Sequence, residues 1–125
     1  MTNIILWVLQ ILTALAFVGA AYTHGVRHEQ TKSQPGMQWL AALPDGLRGF
    51  VVICEALGGI GLILPALTGI LPWLTALAGA LLALMMLLGV GFHLVRREYP
   101  NLILNGILLV LAAVVAYGRF VVAPF

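Results

Sequence analysis

FVVICEALGGIGLILP, residues 50–65, is apolar at almost every position and carries one acid, Glu55, in its middle. No other charge lies within six residues of that carboxylate. Extended back to Leu47, the run is long enough to cross a hydrocarbon core of roughly 30 Å at 1.5 Å per residue. Working outward, three further stretches have the same character, so the reading of this one sets the fold. The spacing predicts membrane-spanning helices over residues 4–22, 47–64, 72–95 and 102–120, with a polar loop at 23–46. The fold class is all-α: one polytopic membrane domain over residues 1–125, built as a four-helix bundle.

Composition points the same way. Of 125 residues, 62% are hydrophobic and only 8% charged, with a mean hydropathy of +1.10. A soluble domain carries about a quarter charged residues, so this chain cannot build a water-facing surface. The partner implied first is the lipid bilayer. The net charge of +2 comes from residues flanking the spans, and no nucleic-acid motif accompanies it. The lone Cys54 excludes an internal disulfide and a multi-cysteine metal site, and reads as a small packing residue.

Prolines and loops set the expected boundaries. Pro65 should end the second helix, Pro72 should stand in the first turn of the third, and Pro100 should end the third. Within the long polar loop, MQWLAALP reads as a short interfacial helix with Trp39 at headgroup level. The first span has no basic n-region, which argues against a cleaved secretory signal.

Arg27, Lys32, Arg48, Arg96 and Arg97 fall on one side of the membrane and Arg119 on the other. The positive-inside rule makes loops 23–46 and 94–101 cytoplasmic and both termini outer, in a multi-pass protein of the inner or plasma membrane. Arg96, Arg97 and Arg119 read as anchors that snorkel to headgroups. HGVRHE at 24–29 and HLVRRE at 93–98 share four of six positions. This echo fits either a duplicated helical hairpin, its two histidines facing each other, or a common preference of basic residues for helix ends.

Glu55 lies near the middle of its span, where an ionised carboxylate costs at least ~2.5 kcal/mol unless paired, protonated or hydrated. Arg48, seven residues earlier, shares its helical face about two turns, or roughly 10 Å, nearer the cytoplasm, and is the expected partner. Gly58, Gly59 and Gly61 remove bulk just past the acid. The other spans offer similar stripes: Gln10, Ala14, Phe17, Ala21 and His24; Gly79, Ala83, Met86, Gly89 and His93; Asn101, Asn105, Ala112 and Ala116. Pointed inward, these stripes form a polar funnel open to the cytoplasm. Its candidate ligand-binding or proton-exchanging residues are Glu55, Arg48, His93, Asn105, His24 and Tyr22, with Gly58, Gly59, Gly61 and Met86 as packing positions. Each has a plainer reading: a salt bridge for Glu55, solvation for His93, an interhelical hydrogen bond for Asn105, core filling for Met86. No HxxxH, ExxH or cysteine pair supplies metal-ligand spacing, and no serine lies in a span to act as a nucleophile.

LRGFVVICEALGGIGLILP resembles the second-helix signature of DoxX-like membrane proteins, in which an arginine, a glycine and a glutamate precede a GxxGLxLP ending. GFHLVRREYPN resembles the third-helix end of that family, and Asn105 matches an asparagine early in its fourth helix. The resemblance covers about residues 4–120 and leaves Tyr22, His24 and Arg27 unassigned. The family takes its name from a small membrane subunit associated with a quinone-linked sulfur oxidoreductase, and relatives include animal proteins that assist receptor assembly. The resemblance therefore implies either a membrane module that binds a quinone or lipid, or an assembly subunit for another membrane protein. A small proton-coupled transporter is a third reading, weakened because such proteins carry their acid in the first helix. No cofactor motif is intrinsic to the chain, so redox chemistry would belong to a partner protein; Gly/Ala faces of this kind also commonly support homodimers.

Overall fold

In a computed structural model of the chain, residues 2–27, 30 and 38–123 are described. Lys32, and His28 and Glu29 of the echo, lie outside them. The helices are α1 (Thr2–Ala21), the short α2 (Gln38–Ala42), α3 (Asp45–Thr68), α4 (Leu74–Val95) and α5 (Tyr99–Tyr117). Two wider π-helical turns, Tyr22–Val26 and Gly118–Val122, prolong α1 and α5. Among the described residues, four helical segments are long and apolar enough to cross a membrane: Thr2–Val26, Asp45–Thr68, Leu74–Val95 and Tyr99–Val122. Their outward faces are apolar, with Leu15, Leu67, Leu88 and Ile103 each about two-thirds exposed. Water would not tolerate so continuous an apolar surface; a bilayer requires it.

The predicted stripes do turn inward. Gln10, Ala14, Phe17 and Ala21 are buried on α1, Glu55, Gly59 and Leu62 on α3, Gly79, Met86 and His93 on α4, and Ala112, Val115 and Ala116 on α5. Consecutive spans pack side by side, α1 on α3, α3 on α4 and α4 on α5, with α5 returning to α1. Two glycines set the closest approaches. A Cβ at Gly59 would stand 3.1 Å from the Ala14 carbonyl oxygen, and one at Gly79 would stand 3.2 Å from both Ala112 O and Ala116 N. Lipid tails are as apolar as leucine, so close backbone contact supplies much of the attraction between spans.

The prolines behave differently from expectation. Pro65 does not end the second span; α3 runs through it to Thr68 and stops at Gly69, whose φ of 73° closes the helix with an N–H bond of 3.0 Å to Pro65 O. Inside a bundle, neighbouring groups compensate for the N–H a proline lacks, and a left-handed glycine is the stronger stop signal. Pro72 precedes α4 rather than entering its first turn. Pro100 opens α5 rather than ending α4, since its missing N–H is one the first turn never uses.

Arg119 is also misplaced by the sequence reading. It is 3% exposed rather than snorkelling, and lies on the second π-turn. Its Nε donates to Gln10 Oε1, and its Nη1 donates to Asn3 Oδ1 at 2.7 Å and to the Ala123 carbonyl at 3.0 Å. Gln10 Nε2 in turn donates to Leu62 O at 2.7 Å, three residues before Pro65. This network ties α1, α3 and α5 together at the end of the bundle that carries the N-terminus.

Candidate functional site

At the opposite end, the wide turn after α1 redirects the chain so that His24 enters the bundle. Such π-turns recur at functional sites because they re-aim a side chain that a regular helix would point elsewhere. His24 Nδ1 meets Glu55 Oε1 at 2.9 Å, with side chains only 13% and 4% exposed. Against an ionised carboxylate, which only accepts, Nδ1 would be the donor and carry the ring hydrogen. Glu55 sits ten residues into α3, roughly 15 Å from its Asp45 end. Its partner is thus a histidine from the neighbouring helix, not Arg48.

Arg48 remains near the helix end. Its Nη2 lies 3.5 Å from Asp45 Oδ1, and its Nη1 donates to the His24 carbonyl at 3.5 Å. Two turns away, the Arg48 guanidinium is engaged by Asp45 and the His24 carbonyl, whereas His24 reaches the acid directly.

His93 is 4% exposed and pairs with Glu98 rather than with Glu55. Nδ1 of His93 and Nε of Arg96 each lie 3.0 Å from Glu98 Oε1. Local backbone geometry makes this possible. α4 ends at Val95 with Arg96 as its cap, Arg97 takes a left-handed φ of 57°, and the Glu98 N–H returns to the His93 carbonyl at 2.9 Å. The left-handed residue costs about 1 kcal/mol in a non-glycine, and it folds the carboxylate back over the histidine.

Partial burial pushes the Glu98 carboxyl upward, but the hydrogen bonds from His93 and Arg96 and their positive charge hold it below its ordinary value. A carboxyl lowered in the folded protein contributes stability that is fully present above its unfolded value and is lost as pH falls through its folded one. Glu98→Gln should therefore flatten the acid limb of the thermal-midpoint profile below about pH 5. Parallel profiles for both proteins would contradict this assignment.

Trp39 joins the two histidines. Its half-buried indole makes edge contacts with His24 and His93, at centroid distances of 4.9 and 5.3 Å and interplanar angles of 85° and 89°. The expected short helix exists as α2, but Trp39 points into the bundle rather than to headgroups, anchored beside the buried Leu40. The two echoed histidines thus meet through a shared indole. In the second copy of the echo His93 pairs with its own Glu98, whereas His24 takes its carboxylate from another helix.

His24, Glu55, Trp39 and His93 line one cleft of about 1200 Å³. Its polar lining is Glu55, His24, His93, Trp39, Asn101, Asn105 and Thr23, and the remainder is apolar, including Met86, Cys54, Gly58 and Gly61. Arg48 and Tyr22, expected in the funnel, do not line it; Tyr22 is 52% exposed. Gly59 is likewise outside it, occupied in packing against α1. Asn105 reaches the cleft by lying over Gly89, and among the described residues its amide bonds to no other helix. The sequence reading missed Trp39 and Glu98 as site residues. The matched HxVRxE motifs were the one signal that could have suggested Glu98.

Among the described residues, no group of three or more His, Cys, Asp or Glu side chains is arranged to hold a metal ion. The model of the DoxX-like family matches residues 8–115, nearly the whole chain.

The chain belongs to the DoxX-like family.

The matched region of this DoxX-like protein contains Glu55, His24, His93, Trp39, Asn101, Asn105 and Thr23, and so the entire polar lining of the cleft. Neither the curated proteins nor the solved structures yielded a match.

Proposed function

We propose that this DoxX-like protein binds a small amphiphile, a quinone or a lipid, in the cleft and serves as the membrane module of a redox complex. The reading rests on one observation: a carboxylate 3% exposed, held by His24, in the wall of a cleft that is otherwise mostly apolar. Buried ionisable groups in a membrane domain are costly and tend to mark ligand or ion sites. Pockets for drug-sized ligands measure about 300–1000 Å³, so a cleft of about 1200 Å³ has room for a head group and part of a tail. The polar head would lie among Glu55, His24, His93 and Asn105, and the tail along Leu77, Leu81 and Leu84 of α4. Arg27, Arg48, Arg96 and Arg97 gather at the His24 end of the bundle, which favours a cytoplasmic head-group site in the cell membrane with both termini outside.

Glu55→Gln tests the reading. It keeps the shape of the side chain but removes the charge-assisted bond to His24. Isothermal titration of the protein in nanodiscs with a decyl-substituted benzoquinone and with a lysophospholipid should show at least one of them bound, roughly tenfold more weakly by the variant. Equal affinity of both proteins for each compound would rule the proposal out.

A further inference from the structure

Glu55 and Glu98 each hold the Nδ1 of one histidine, at 2.9 and 3.0 Å. With Nδ1 committed to a carboxylate, the exchangeable atom of each ring is Nε2, bare in the neutral imidazole and an N–H donor in the imidazolium. Both rings line the same cleft and touch the same indole. His24 is faced by Glu55 and, at its carbonyl, by Arg48, both from α3; His93 lies beyond the indole, and Tyr22 and Arg27 share its own segment. His93 is faced by Glu98 and, through it, by Arg96. Among the described residues, no lysine or arginine lines the cleft.

Resting on the binding reading above, we infer that the head-group site selects an uncharged head with a carbonyl or hydroxyl oxygen, and that the Nε2 atoms of His24 and His93 link its binding to a proton. Charge excludes the alternative head. An anionic phosphate would lie against Glu55, where the lining's histidines, the groups there able to become cations, are each already paired with a carboxylate; a further negative charge in a low-dielectric site is strongly disfavoured. Proton bookkeeping separates the two neutral heads. A carbonyl oxygen only accepts, so against either imidazole it requires Nε2–H, and its binding there draws a proton from solvent onto the ring. A hydroxyl donates to the bare Nε2 and needs no proton. No covalent bond forms, and the proton returns to solvent when the ligand leaves.

Titration calorimetry of the full chain in nanodiscs, at about pH 8 in two buffers of different ionisation enthalpy, tests this. The probes are decyl-benzoquinone, its hydroquinone and decyl phosphate. The benzoquinone should bind with uptake of about one proton, the hydroquinone with about none, and decyl phosphate roughly tenfold more weakly than either. His24→Asn and His93→Asn keep an amide donor for the carboxylate but lack Nε2, so each should reduce the proton uptake. The wild-type proton count stands by itself should either variant fail to fold. A benzoquinone that binds with no buffer-dependent enthalpy, or decyl phosphate binding as tightly, would overturn the inference while leaving a binding cleft in place. Failure of all three probes to bind would overturn both.

Discussion

Gly79→Leu should destabilise the bundle by about 3 kcal/mol, the upper end of what an overpacked interior usually costs. A Cβ there already meets Ala112 O and Ala116 N at 3.2 Å, and these are backbone atoms that cannot rotate away. Accommodating a whole leucine means separating α4 from α5, and the loss extends to every dispersion contact along that seam. Thermal unfolding of the purified protein in detergent would register the change, with Gly91→Leu as the control. Gly91 lies on the same helix, is exposed, and a Cβ there has nothing within 4 Å. The control should match or slightly exceed wild type, because leucine is the better helix former. Equal midpoints for the two variants would show that α4 and α5 do not meet closely at Gly79.

Arg119→Met should have a comparable effect for a different reason. Methionine fills much of the same volume but leaves Gln10 Oε1 and Asn3 Oδ1 without the guanidinium that now donates to them. Gln10 is fully buried, and a buried acceptor stripped of its donor costs about 1–3 kcal/mol, so a loss of about 2 kcal/mol is expected, the exposed Asn3 being free to turn to solvent. Arg97→Met, on the exposed turn, should stay within about 0.5 kcal/mol. The interaction is tested further by pairing Arg119→Met with Gln10→Leu. Replacing both partners by apolar groups should cost less than the two single changes summed, with a coupling of about 1 kcal/mol or more. Simple additivity would place Arg119 outside the network and restore the view of it as a surface anchor.

Both predictions lie at positions whose importance depends on a neighbouring helix, and the same distinction separates what was legible in the sequence. The stripe ending in His24 and the stripe ending in His93 were readable because helical spacing alone assigns residues to a face. Which partner each ionisable group takes was not readable. Arg48 and Glu55 share a face, yet the acid's contact comes from His24, within a π-turn beyond α1 that no residue pattern announced. Glu98 reaches His93 only because Arg97 adopts a left-handed conformation that a glycine would have signalled and an arginine conceals. Trp39 suited an interface by residue type, and the direction it faces was set by how α2 returns over the ends of α1 and α4.

By itself, the sequence determined that this chain crosses a membrane four times and that one acid lies deep in the second crossing. Those conclusions depend on transfer free energy summed over windows of about 20 residues, a quantity that needs no knowledge of neighbours. The tertiary structure alone decided that Glu55 belongs with His24, that one indole touches both histidines, and that Arg119 is buried at the far end. Hydrogen bonds and ring contacts act over a few ångströms, so they depend on helix rotation, on turn geometry and on which helices adjoin. Composition and periodicity carry no record of those relations.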